Sequence, residues 1–246
     1  MAFLREEVAL NSELERVSEH MLELGLGALA HANWHANFVS NHSNSWPELS
    51  VLQAAHAAEI LIKARIAQEH PLLIFEKFPS SKGKTDNFLK LQHLFEDGTT
   101  IQYQGLPERL WATTGIKLEK LDKYKDFGRL RNSIQHFAPP QEIDFCEKTI
   151  DFIYDVIDPF INKCWGLYAI DYNEDALEER GWLIESLISH EVIFLVSPNA
   201  LDCYEDMNFQ WSNNNPGYEQ EMRLRFTIAK YTGQNDQTIL DKISKL

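Results

Sequence analysis

Residues 117–138, KLEKLDKYKDFGRLRNSIQHFA, decide how this chain is read. Leu118, Leu121, Tyr124, Phe127, Leu130, Ile134 and Phe137 recur three or four residues apart, the spacing that gathers apolar side chains on one face of an α-helix. Pro139 and Pro140 stop that helix, since proline lacks the backbone N–H and its ring collides with the turn before it. Upstream, Val8, Leu10, Leu14, Val17, Met21, Leu24 and Leu29 repeat the period from Glu6 to about Ala36. The polar run from Ser40 to Trp46, followed by Pro47, breaks it. Ser50 is then read as the N-cap of a second helix that runs through Leu52, Ala55, Ala58, Ile60, Leu61 and Ile62 towards Glu69 and bends at Pro71. Its small residues Ala54, Ala55, Ala57 and Ala58 permit close packing against another helix.

Two shorter helical stretches are expected at about 86–96 and 106–113, separated by Asp97-Gly98. A further long helix is expected over about 141–168, with Phe145, Ile150, Ile153, Tyr154, Ile157, Phe160 and Ile161 as its apolar positions. Long amphipathic helices joined by loops predict a mainly α protein built as a helical bundle over residues 1–168. Past residue 170 the pattern changes. Glu191 to Val196 reads as a short buried strand, and Met222, Leu224, Phe226 and Ile228 alternate with polar residues as in a half-buried strand. Residues 169–246 are therefore expected to form a small α+β extension.

Composition excludes several classes. Three cysteines, Cys146, Cys164 and Cys203, at wide and irregular spacings suggest neither a disulfide framework nor a zinc pattern, and fit a reducing cytoplasm. The start, Met-Ala-Phe-Leu-Arg-Glu-Glu, has no basic region followed by an apolar run, so no signal peptide is expected. No stretch approaches the roughly 20 apolar residues of a membrane span. The formal net charge of −14 opposes binding to nucleic acid, but the charge is unevenly spread. Residues 141–210 hold 16 acidic and 3 basic side chains, whereas residues 60–131 hold 13 basic and 9 acidic ones.

The end of the 117–138 helix also carries reactive groups. Asn132 and His136 are four apart and share a helix face, and the long Arg131 lies to one side within reach of it. An arginine, an amide and an imidazole suit RNA cleavage without a metal, because RNA supplies its own nucleophile in the 2′-hydroxyl. A free histidine titrates at about 6.5 and can accept and return a proton near neutral pH. Arginine can hold a phosphate through paired hydrogen bonds and offset the charge that develops on it. The same spacing also fits a surface arginine and a structural histidine. Arg65 and His70 repeat it beside Pro71, and Arg129, at a looser distance from the same His136, is an accessory candidate for the site.

The segment Leu130-Arg131-Asn132-Ser133-Ile134-Gln135-His136-Phe137 resembles the signature of HEPN domains, an arginine, a polar residue and then a histidine on a late helix. Ala57-Ala58-Glu59-Ile60-Leu61-Ile62-Lys63-Ala64-Arg65 is similar to the first long core helix of many such domains. The resemblance covers roughly residues 45–168. It implies a four-helix-bundle ribonuclease acting as a homodimer, with Arg131, Asn132 and His136 from both copies lining one cleft. It further implies metal-independent cleavage to a cyclic phosphate and a 5′-hydroxyl, with no cofactor, in a toxin–antitoxin or phage-defence setting that includes an antitoxin or sensor protein. In one branch of the family a tyrosine two residues after the histidine is modified to silence the enzyme; here that position is Ala138, so this route of control is not implied. The alternative is a non-catalytic HEPN-like interaction module.

Other residues carry weaker signals. Glu59 and Lys63 are four apart and read as a helix-surface ion pair, with an accessory role near the cleft as the alternative. Lys82 and Lys84, with Lys77 and Lys90, read as a solvated loop or as a guide for an RNA backbone. His31 and His35 have a spacing that can hold a metal, but lack the companion ligands that would make a site, so none is assigned. Trp182 and Trp211 read as core residues or as base-stacking platforms.

Overall fold

The computed structural model describes residues 14–38, 45–82, 89–138, 142–174, 180–207, 209, 211 and 215–231. The chain is mainly helical. Helix α1 spans Val17–Asn37, α2 Trp46–Glu69, α3 Leu91–Asp97, α4 Leu106–Thr114 and α5 Leu121–His136. They are followed by α6 (Phe145–Phe152), α7 (Asp158–Trp165), α8 (Arg180–Ser189), α9 (Pro198–Asp206) and α10 (Pro216–Tyr231). A two-stranded antiparallel ribbon, β1 (Phe75–Lys77) with β2 (Thr99–Thr100), is the sheet structure among the described residues. No helix among the described residues is long and apolar enough to cross a membrane.

The chain divides into two compact units. One comprises Met1–Gly25 and Glu59–Lys117, the other Leu26–Ala58 and Leu118–Leu246. In the first, Leu61, Ile62, Ala64, Ile66 and Ala67 of α2 are buried together with Ile74, Leu94, Leu106 and Leu110. Gly25 allows a close approach here: a Cβ at that position would lie 2.8 Å from Leu61 Cγ and 3.3 Å from Leu61 N.

In the second unit, Leu29, Ala32, Asn33 and Ala36 form the buried stripe of α1, and Val51, Ala54, Ala55, Ala57 and Ala58 that of α2. Ser50 does not cap α2. The helix begins at Trp46 with Pro47 in its first turn, where proline's missing N–H costs nothing. Ser50 is therefore one turn inside and buried, its hydroxyl donating to the Pro47 carbonyl (2.7 Å) and lying 2.9 Å from Thr149 Oγ1. The long helix expected over 141–168 is made of α6 and α7 joined by a π-turn at Ile153–Ile157. Pro159 cannot donate to the carbonyl four residues back, and the helix widens directly before it. It ends at Gly166, whose φ of 67° is the left-handed conformation of a helix terminus.

Both strands expected past residue 170 are absent, so no α+β extension exists among the described residues. Residues 192–197 lie outside regular secondary structure and pair with no strand. Their backbone groups bond elsewhere: Val192 N–H to the Leu187 carbonyl (2.9 Å), Leu195 N–H to Asp158 Oδ2 (3.0 Å), and the Val192 carbonyl to the Tyr218 hydroxyl (2.9 Å). Met222 to Tyr231 lies within α10. Tyr218, Met222 and Phe226 are buried at intervals of four, so the apparent alternation was half of a helical stripe. Glu219–Arg223 and Glu221–Arg225, each 2.7 Å apart, are pairs that only a helix brings together.

Two glycines of α1 test this packing in opposite directions. Gly25→Ala crowds the buried Leu61, and overpacking costs about 1–3 kcal/mol, more than the roughly 0.5–1 kcal/mol that alanine gains in a helix. A methyl group at Gly27 would meet nothing within 4 Å, so Gly27→Ala keeps the helical gain. Thermal unfolding should show a lower Tm for the first variant and a higher one for the second.

Candidate active site

Helix α5 buries Tyr124 and Phe127, and Phe127 stacks on Phe152 of α6 with ring centroids 3.8 Å apart and planes at 2°. With one face fixed in this way, the opposite face is open. At about 100° per residue, Lys125, Arg129, Asn132 and His136 fall within a sector roughly 60° wide. Lys125, Arg129 and His136 are exposed and Asn132 is half-buried. Arg131 stands about 130° away from the middle of that sector, on the side of Tyr124 and Phe127, and is half-buried. Its guanidinium nonetheless reaches across, Nη1 donating to Asn132 Oδ1 at 3.0 Å.

This bond leaves the Nδ2 hydrogens of Asn132 as the donors it can offer to a phosphate or to an imidazole. His136 is the last residue of α5; Phe137 follows as its C-cap, with its N–H bonded to the Ser133 carbonyl at 3.1 Å. The Phe137 ring is 94% exposed and so departs from the apolar stripe expected for this helix. Arg129 pairs with Asp126 one turn earlier, both largely in solvent.

The accessory candidates Glu59 and Lys63 lie in the first unit, whereas Arg129 lies on α5 in the second. Lys63 donates to Glu59 Oε1 at 2.6 Å and to Thr100 Oγ1 at 3.3 Å. With side chains 7% and 19% exposed, Lys63 and Glu59 are a buried pair and not the surface pair expected. The hydroxyl of Thr100 gives the Lys63 nitrogen a second acceptor beside the Glu59 carboxylate. Lys82 lies exposed in a turn, and Lys84 lies outside the described residues. Arg65 is bound to Glu69 at 2.8 Å, and His70 Nδ1 accepts from the Leu72 N–H at 3.2 Å as a local cap, which accounts for that second arginine–histidine spacing. A 650 Å³ cavity lined by Leu14, Ile74, Phe75, Leu94 and Phe95 contains none of the candidate residues.

His31 and His35 are engaged separately, His31 with Glu174 at 2.9 Å and His35 with Gln53 at 2.7 Å, and their ring centroids are 6.3 Å apart. Trp211 packs in the C-terminal core, donating to the Tyr204 hydroxyl at 2.8 Å beneath the Arg223 guanidinium, whereas Trp182 is 69% exposed.

No protein-family model, curated protein or solved structure matches this chain. The chemistry of the site therefore rests on its own geometry.

A perturbed carboxylate often marks an active site, and the carboxylate perturbed among the described residues is Asp158. Burial pushes it up to about 7, against the backbone N–H groups of Ala169 and Leu195 and the charge of Arg225, which pull it down, while Asp171 pushes it further up. Its two oxygens accept from those N–H groups at 2.8 and 3.0 Å, it is fully enclosed, and it is absent from the α5 face. Asp158 is a structural anchor. In the unfolded chain an aspartate titrates at about 3.9, so the native state holds the proton more tightly. The contribution of Asp158 to stability is greatest below about pH 4, falls as the pH rises to about 7 and is constant above that. Denaturant unfolding of Asp158→Asn across pH 4–8 should show the variant gaining on the parent through this window, and a constant difference would remove Asp158 as the source.

Proposed function

We propose that this chain is a metal-independent endoribonuclease of HEPN type, a cytoplasmic helical protein that cleaves RNA in a toxin or phage-defence role under the control of an antitoxin or sensor protein. The observation that carries this reading is the trio at the end of α5: Arg131 bonded to Asn132, with His136 exposed on the face that Asn132 shares. In the reaction, the imidazole of His136 takes the proton of a ribose 2′-hydroxyl. The 2′-oxygen attacks the adjacent phosphorus, and the bond from phosphorus to the 5′-oxygen breaks. A protonated imidazole, from the His136 of a second copy, delivers a proton to the departing 5′-oxygen, leaving a 2′,3′-cyclic phosphate and a 5′-hydroxyl. Cationic arginine offsets the charge on the phosphoryl oxygens.

A single His136 cannot be base and acid within one turnover without an intervening exchange, which favours a site built from two copies. The exposed Phe137 beside it supports the same arrangement, as an apolar surface that a symmetric partner would cover. A non-catalytic interaction module is favoured instead by the exposure of Trp182 and Ile193 in the acidic C-terminal part of the chain.

Purified protein is expected to cut single-stranded RNA in excess EDTA. His136→Ala should lower the rate by about 10²–10⁴-fold, the usual share of general acid–base catalysis, with an unchanged helical circular dichroism spectrum. Undiminished cleavage by that variant removes His136 from the site. A panel of RNAs left intact, together with a protein that co-purifies in fixed proportion, favours the interaction module.

A further inference from the structure

We infer that the RNA lies along the open face of α5 with its phosphates held by Arg129 and Lys125, and that Arg131 is a positioning residue acting through Asn132. This rests on the ribonuclease reading above and changes which arginine meets the substrate. Arg129 precedes His136 by seven residues, two helical turns, so the two side chains point the same way about 10 Å apart along the axis. Lys125 extends the same line to about 16 Å. These spacings suit a backbone that carries one charge per nucleotide, leaving the reacting phosphate at the His136 end.

Arg131 has neither property. It leaves the helix on the side of the buried Tyr124 and Phe127, and a guanidinium nitrogen that would otherwise meet a phosphate donates to Asn132 Oδ1. Fixing that oxygen sets the direction of the amide hydrogens beside His136. Arg129 is held only by Asp126, three residues away, with both side chains about two-thirds exposed. A pair of this kind is weak and screened by salt, so a phosphate can compete for the arginine.

Charge selects the same helix, although Lys120, Lys123 and Arg131 lie off its open face. Lys120, Lys123, Lys125, Arg129 and Arg131 fall on α5 or its N-cap, against Asp122 and Asp126, whereas residues 141–210 carry 16 acids and 3 bases. Lys123 is committed to Asp155. Asp122 flanks the line at its N-terminal end, and no acid stands between Arg129 and His136. A polyanion approaching the second unit is repelled over most of its length and attracted to α5.

The test uses the full chain carrying His136→Ala and a fluorescein-labelled ten-nucleotide oligouridine, with binding followed by anisotropy from 50 to 300 mM salt. Arg129→Gln and Lys125→Gln should each weaken binding and lower the slope of log affinity against log salt by about 0.7, the loss of one phosphate contact to a single strand. Arg131→Gln should leave the slope unchanged. In the cleavage assay with His136 present, Arg129→Gln should raise KM, whereas Arg131→Gln should lower kcat at unchanged KM and be partly rescued by Arg131→Lys. Circular dichroism checks the fold of each variant. The inference is overturned if RNA is cut but neither Arg129→Gln nor Lys125→Gln changes the slope, if Arg131→Gln lowers it as much as they do, or if poly-glutamate competes as well as the RNA. If the slopes fall as expected and no RNA is cut, the α5 face stands as an RNA site and the ribonuclease reading fails alone.

Discussion

The carboxylate of Asp158 is the hinge of the second unit's architecture. Its oxygens take the N–H of Ala169, just past the end of α7, and the N–H of Leu195, in the segment before α9. An unmatched backbone N–H in such a place costs about 1–3 kcal/mol, so the segment needs this acceptor in the absence of a neighbouring strand. Holding it there seats Phe194 edge-on to both Tyr154 and Phe226. It also brings Ser197 to Asp171 at 2.8 Å, from where the same serine caps α9 through Ala200 N–H at 3.0 Å. Asn33 completes the arrangement by donating to the Ala169 and Tyr172 carbonyls and accepting from the Tyr154 hydroxyl. One buried acid and one buried amide thus do for the C-terminal segment what a β-ladder would otherwise do.

The helices this network stabilises also orient α5. The π-turn keeps Ile153, Tyr154, Val156 and Ile157 all inside, and directly before it Phe152 presents its ring to Phe127. With Tyr124 fully buried and Phe127 nearly so, the rotation of α5 about its axis is set, and with it the direction of every residue out to His136. Reactive groups on α5 are thereby held on a rigid element, which favours their use as a site over any arrangement on the neighbouring loops.

Much of this was legible in the residues. Helix α5 was, because its stripe is regular and prolines stop it, and the α6–α7 stretch was, although its π-turn depends on how the chain accommodates Pro159 in a packed interior. The two strands expected near the C-terminus were misread for different reasons. In α10 an alternation of period two and a stripe of period four share Met222 and Phe226, and the paired charges Glu219–Arg223 and Glu221–Arg225 were the signal that separates them. At 192–197 no strand forms, and the segment is held in part by a side chain as distant in sequence as Asp158, which no local pattern shows. In the site, the Asn132–His136 face was legible from the 100° turn, whereas the reach of Arg131 to Asn132 depends on a rotamer. The enclosed Lys63 also bonds Thr100, 37 residues beyond it, and spacing within α2 carries no trace of that contact.

The acidity of the chain bears directly on how such a site would act. Phosphate attraction is blind to base sequence, so a uniformly basic ribonuclease binds every RNA it meets. Here five of the thirteen lysines and arginines of the second unit fall on α5 or its N-cap, and the segment that follows it is strongly acidic. At physiological salt, charges further apart than about 8 Å are largely screened, so the acids at a distance raise the cost of a loose encounter more than they weaken a strand already seated against Arg129 and Lys125. On the proposed reading an RNA would have to place several phosphates along α5 to be held, and selectivity for strands that can extend along a helix would follow without any contact to a base.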